Sequence, residues 1–157
     1  MTDTSELYTW AANACACREY CCNDIRHKLF LKKASPAQVA AVCRRLTDEG
    51  FIDEERYAQA FIHDKLSFAH WGRMKIRYEL LCKQLEESLI DRLLATIDEE
   101  AYLKALNALL TTRLQQLANE PPLKAKQKAA RTALSKGYEG HLVMKALDSI
   151  EPADADL

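Results

Sequence analysis

The chain has 157 residues, 48% hydrophobic and 29% charged, with a formal net charge of −1. Total charge therefore excludes a protein drawn non-specifically to nucleic acid or to an anionic membrane; such binding would need charge segregated along the chain. No stretch approaches the roughly 20 consecutive apolar residues of a spanning helix, and the start, Met1 to Glu6, lacks the basic-then-apolar pattern of a signal peptide.

Helical signals follow one another along the chain, and strand signals are absent. Asp3 and Glu6 make an acidic start for a first helix that runs to about Tyr20. A second helix spans about 22–33, with Ile25 and Leu29 four apart on its apolar face. Ser35-Pro36-Ala37-Gln38 is a strong helix start: serine caps, proline takes the first turn, and glutamine reaches back. The third helix carries Val39, Val42, Cys43 and Leu46, and Gly50 closes it. Asp53 caps a fourth helix, Glu54 and Glu55 suit its positive end, and Trp71-Gly72 breaks it. Trp71 is expected to plug that junction and Trp10 to lie in the core. Helices five (about 73–84) and six (about 87–97) follow. The seventh starts at Asp98 and lines Leu103, Leu106, Leu110, Leu114 and Leu117 on one face. Asn119-Glu120-Pro121-Pro122 is a loop, the eighth helix runs over about 122–136 to Gly137, and the ninth over about 139–150.

These helices repeat. Residues 22–46 and 73–97 align without a gap at a shift of 51, placing Ile25 on Ile76, Leu29 on Leu80, Val42 on Leu93 and Leu46 on Ile97. A third copy follows at a shift of 53, with Leu85 on Tyr138, Ile90 on Val143 and Leu94 on Leu147. The expected fold is all-α: an elongated array of three tandem three-helix, helix-turn-helix-like units, 1–50, 51–97 and 98–150, before a disordered acidic tail at 151–157. Ala129 and Ala133 stand where the second copy has Ile76 and Leu80, so the third unit is expected to have a thinner apolar face and the least stability.

Charge follows the repeat. Arg18 to Arg45 holds seven basic and two acidic side chains, Arg73 to Lys83 four and one, and Lys124 to Lys136 five and none. Acidic blocks lie between them. One reading is solvated helix faces with local ion pairs. The other is a positive stripe for a phosphate backbone or an acidic protein groove. The candidate contact residues, chosen on charge, are Arg26, Lys28, Lys32 and Lys33 in the first unit. In the second they are Arg73, Lys75, Arg77 and Lys83, and in the third Lys124, Lys126, Lys128 and Arg131.

Chemical motifs are missing. The four glycines write neither a phosphate loop nor a nucleophile elbow, there is no HExxH, and no carboxylate pair is set apart for acid–base work. Cys15, Cys17, Cys21 and Cys22 form a dense cluster, but their CxCxxxCC spacing lies in helical sequence, where Cys15 and Cys17 point about 200° apart. They read as packing thiols rather than a zinc site. No catalytic residue, metal or cofactor is expected. The chain is expected in the cytoplasm, as a monomer, with reduced thiols.

The stretch Gly50-Phe51-Ile52-Asp53-Glu54-Glu55-Arg56-Tyr57-Ala58-Gln59-Ala60-Phe61 resembles the hallmark segment of the bacterial RecX family. Trp71 to Leu80 looks like that family's "G…I…EL" element, Arg18 to Ile25 is similar to its "R-x-x-S…EL" start, and Lys136-Gly137-Tyr138 before Val143 to its "RGF…V". The resemblance spans roughly residues 7–150. Cys21 replaces the usual serine, which implies a poorer cap, and Lys33 and Gln84 stand where Lys-Gly is common. The resemblance implies three three-helix units and a non-enzymatic regulator. Such a protein binds RecA and RecA–single-stranded DNA filaments, and inhibits strand exchange, ATP hydrolysis and coprotease activity. The alternative is a helical module that binds DNA, weakly and without RecA.

Overall fold

The computed structural model describes residues 2–150; the acidic tail expected at 151–157 lies outside the described residues. The described residues form nine α-helices and no strand: α1 Thr4–Cys17, α2 Cys22–Leu31, α3 Pro36–Asp48, α4 Glu54–Ser67, α5 Arg73–Cys82, α6 Glu87–Leu94, α7 Glu99–Gln116, α8 Pro122–Ser135 and α9 Gly140–Ser149. The all-α expectation holds. The starts follow their caps: Ser35 accepts from the Gln38 N–H at 3.1 Å, Asp53 from the Arg56 N–H at 3.0 Å and Asp98 from the Ala101 N–H at 3.1 Å.

Several helices end earlier than expected, for local reasons. α1 stops at Cys17, not Tyr20, because Cys21 must be extended (φ −89°, ψ 168°) to begin α2, and residues 18–20 make the turn. The Cys21 thiol faces the Asp24 N–H without closing a cap hydrogen bond, and Asp24 accepts from the Cys21 N–H at a long 3.4 Å. α6 stops at Leu94, where the Thr96 hydroxyl donates to the Leu93 carbonyl at 2.6 Å.

The ends of α2, α5 and α8 share one geometry at the repeat spacing. Lys33, Gln84 and Gly137 are left-handed, with φ of 63°, 65° and 97°. The next residue then turns its N–H back: Ala34 to the Leu29 carbonyl, Leu85 to Leu80 and Tyr138 to Ala133, at 3.1, 3.3 and 3.2 Å. In the third copy glycine takes this conformation freely; in the first two a side chain is forced into it. Lys33→Gly and Gln84→Gly should each raise stability by about 0.5–1 kcal/mol, read as a higher urea midpoint. An unchanged or lower midpoint in both would refute the strain.

The chain groups into two compact units. One holds the chain up to His63 together with Leu80–Ile90, the other Asp64–Glu79 together with the chain from Asp91 onward. The first has a core of Leu7, Ala11, Ile25, Leu29, Val42, Leu46 and Ile52, with Trp10 packed half-buried against it. The core of the second is Tyr102, Leu106, Leu110, Ala129, Ala133, Tyr138, Val143 and Leu147. Ala129 and Ala133 are fully buried, and the space that larger side chains would take is filled from α7 and the α8–α9 turn by Tyr102 and Tyr138, whose ring centroids are 5.2 Å apart.

In the second unit the start of α5 meets the α8–α9 turn backbone to backbone. The Gly72 N–H donates to the Lys136 carbonyl at 2.7 Å and the Met74 N–H to the Gly137 carbonyl at 3.0 Å. Two of the first free amides of α5 are thereby satisfied.

Candidate functional site

The hallmark segment is built into the fold rather than offered to a ligand. Gly50 is left-handed (φ 80°), Ile52 and Ala58 are buried, and Asp53 caps α4. Arg56 donates from Nη2 to the Gly50 and Phe51 carbonyls at 3.2 and 3.3 Å and from Nε to Glu19 at 2.5 Å. An arginine is needed here because one planar fork must reach two carbonyls and a carboxylate together.

Surface chemistry is carried instead by the basic side chains of α2, α5 and α8. On α2 the fully buried pair Ile25 and Leu29 turns Arg26, Lys32 and Lys33 to solvent. The Lys28 ammonium lies 5.2 Å from the Tyr20 ring centroid, and that of Lys32 lies 4.4 Å from Trp10. Arg26 donates to Gln84 at 3.4 Å. Lys83 pairs with Asp24 at 2.5 Å, with Asp24 only 14% exposed. Burial would push the Asp24 carboxyl up, but the bonds from Lys83 and Cys21 hold it below the ordinary aspartate range.

In the second unit acidic residues from outside the basic runs come back in space to meet them. Arg77 pairs with Asp91 at 2.8 Å. Arg73 pairs with Glu139 at 2.7 Å and with Glu99, and its guanidinium lies 3.9 Å from the Tyr102 ring centroid. Lys75 and Lys65 both lie over Trp71, at 4.4 and 4.5 Å, so the half-buried tryptophan at this junction is covered by cations. Lys128 pairs with Glu120 at 2.6 Å. Four of the twelve candidates are thus ion-paired within their own unit. Lys33, Lys124, Lys126 and Arg131 have no ion pair among the described residues, and of these Lys33, Lys124 and Arg131 are exposed.

A reading based on charge passes over two features. Phe30 and Leu31 on α2 are 73% and 78% exposed, off the apolar stripe set by Ile25 and Leu29. Arg113, outside every basic run, is brought to the basic face of α8 by the tight α7–α8 turn, where its Nε donates to the Thr132 hydroxyl at 3.1 Å.

The four clustered thiols diverge: Cys21 is buried, Cys15 and Cys22 are half-buried and Cys17 is exposed. Burial pushes the Cys21 thiol up to about 12, which removes it as a nucleophile or ready metal ligand near neutral pH. Among the described residues no group of three or more His, Cys, Asp or Glu side chains is placed to hold a metal ion. No helix of the described residues is long and apolar enough to cross a membrane.

A family model described as RecX, second three-helix domain, matches residues 53–94. Along 95% of its length the chain is similar to the regulatory protein RecX of Chlorobium phaeobacteroides (strain BS1), at 29% identity over 96% of that protein. It is 32% identical to the regulatory protein RecX of Clostridium botulinum (strain Eklund 17B / Type B) over 78% of the chain and 57% of that relative. The chain thus spans nearly the whole of one curated relative and less than two thirds of the other. The crystal structure of RecX from Lactobacillus salivarius matches the fold with a TM-score of 0.82 at 16% identity, covering 94% of this chain and 97% of that one.

Proposed function

Since the chain belongs to the RecX family, we propose that it is a regulatory protein whose target is the RecA recombinase. In this reading it binds RecA on single-stranded DNA and inhibits strand exchange, ATP hydrolysis and coprotease activity, without chemistry of its own. The observation that carries the reading is the nearly full-length likeness to a protein named for regulation. It gains support from the exposed cations Arg26 of α2 and Lys124 and Arg131 of α8, the kind of surface an acidic filament partner would meet. The division into units 1–50, 51–97 and 98–150, the monomeric state and the cytoplasmic location belong to the same reading.

The ion pairs seen within the two compact units rank the candidate contacts. Arg26, Lys32, Lys33, Lys124, Lys126 and Arg131 can meet a partner without breaking an internal ion pair. Arg73, Arg77, Lys83 and Lys128 would first have to give one up. The test is RecA ATP hydrolysis on single-stranded DNA. Equimolar purified protein should suppress it; unchanged turnover at that ratio would sink the proposal. Arg26→Gln with Lys33→Gln should weaken suppression more than Arg77→Gln, whose parent is already held by Asp91.

A further inference from the structure

Between the last turn of α7 and one face of α8 lies an open notch of about 460 Å³ lined by Arg113, Lys128, Arg131, Thr132 and Ser135. Positions 128, 131, 132 and 135 share one helix face by spacing alone, and Arg113 faces them from the neighbouring helix. The geometry points to a seat for a backbone phosphate of a single-stranded nucleic acid, with Arg113 and Arg131 as its principal donors.

The Arg113 guanidinium is already oriented. Its Nε is held by Thr132 at 3.1 Å and its Nη1 by Gln116 at 3.1 Å, while its Nη2 has no partner among the described residues. A planar fork fixed on one edge and open on the other is suited to a phosphate oxygen, and little side-chain entropy is left to lose on binding. Thr132 is fixed in turn, donating to the Lys128 carbonyl at 3.1 Å, and Ser135 donates to the Thr132 carbonyl at 2.8 Å. Both hydroxyls thus spend their hydrogens on the helix, and recognition of an anion falls to the cations.

Arg131 is exposed, without an ion pair among the described residues. Lys128 is engaged by Glu120 at 2.6 Å, and that bond holds the Glu120 carboxyl below the ordinary glutamate range. Glu120 is therefore an internal competitor for Lys128, the third cation of the notch. No aromatic ring lines the notch, so base stacking plays no part and binding should be indifferent to sequence.

The test needs no RecA, so it stands apart from the function proposed above. Binding of a fluorescein-labelled single-stranded oligonucleotide is followed by anisotropy across a salt series. Arg131→Gln, which touches no described partner, should weaken binding by about threefold and lower the slope of log affinity on log salt by about 0.7. Glu120→Gln should act in the opposite sense, tightening binding by about threefold and raising the slope by a similar amount as Lys128 is released. A purely structural role for this cluster predicts no gain from Glu120→Gln. Equal affinity and slope in wild type and both variants would overturn the assignment. So would the case in which inorganic phosphate shifts the Arg113 and Thr132 resonances while the oligonucleotide ignores both substitutions, since the notch would then take a free anion only.

Discussion

Replacing Gly72 or Gly137 with alanine should destabilise the protein by about 3 kcal/mol or more, read as a fall in the urea midpoint or melting temperature. A Cβ on Gly72 would lie 2.4 Å from the Gly137 carbonyl carbon and 2.4 Å from the Tyr138 nitrogen. A Cβ on Gly137 would lie 2.3 Å from the Cβ and 2.5 Å from the backbone nitrogen of Lys75. Backbone cannot swing aside as the end of a long side chain can, so relief requires α5 and the α8–α9 turn to separate. Separation breaks the Gly72 N–H to Lys136 bond of 2.7 Å and the Met74 N–H to Gly137 bond of 3.0 Å. Gly137→Ala carries a further cost because φ is 97° there. Gly50→Ala is the internal control: its φ is 80°, but nothing lies within 4 Å of the added carbon. It should lose only about 1–2 kcal/mol, the cost of the left-handed conformation alone. Equal losses at Gly50 and Gly137 would show that conformation, and not close approach, sets the requirement for glycine.

The contrast between these glycines marks where sequence reading ends. Gly50 and Gly137 announce helix ends in a one-dimensional pattern, and Lys33 and Gln84 can be picked out as departures at the same repeat position. Ser35-Pro36 and Asp98 locate α3 and α7 because a cap is a local event, set within four residues. Ile25 and Leu29 locate a buried face because helical spacing is local too. Charge is different. Sequence gives the sign of Arg73 and of Glu139, yet their bond joins residues 66 positions apart. The run from Arg73 to Lys83 looks like an open basic face, whereas Asp91, Glu99 and Glu139 return in space to occupy Arg73 and Arg77. Arg113 has the opposite history. It is isolated in sequence and joins a cationic cluster because the turn after α7 folds it against Thr132. Pairing of charges is a tertiary property, so periodicity can nominate a basic helix but cannot say which of its cations are free.

In the second unit Glu139 is shared between two donors from different helices. It accepts from the Tyr102 hydroxyl at 2.5 Å and from the Arg73 Nη1 at 2.7 Å, while the Arg73 N–H donates to the Tyr102 hydroxyl at 2.9 Å. Three helices are joined at their first turns: α5 by Arg73, α7 by Tyr102 and α9 by its cap residue. Glu139→Ala should cost about 2–3 kcal/mol, because it leaves the largely buried Tyr102 phenol without an acceptor and the Arg73 guanidinium with Glu99 alone. Burial alone would push the Glu139 carboxyl up; the bonds from Tyr102 and Arg73, with the Arg73 charge, together hold it below its ordinary value of 4.5. A carboxyl whose pKa is lower in the folded chain than in the unfolded one stabilises the fold fully above the unfolded value. That contribution fades as pH falls from about 4.5 through the lower folded value. Tyr102 has the complementary sign: burial, then its bond to Glu139, raise it, so its contribution is complete below its ordinary value of 10.0 and is lost as pH rises beyond that. Melting temperature against pH should therefore fall on the acid side below about 4.5, and less steeply in Glu139→Gln, which has no proton to gain. Parallel acid limbs in the two proteins would place the acid sensitivity on other carboxylates, with Asp24 the next to examine because Lys83 holds it down in the same way.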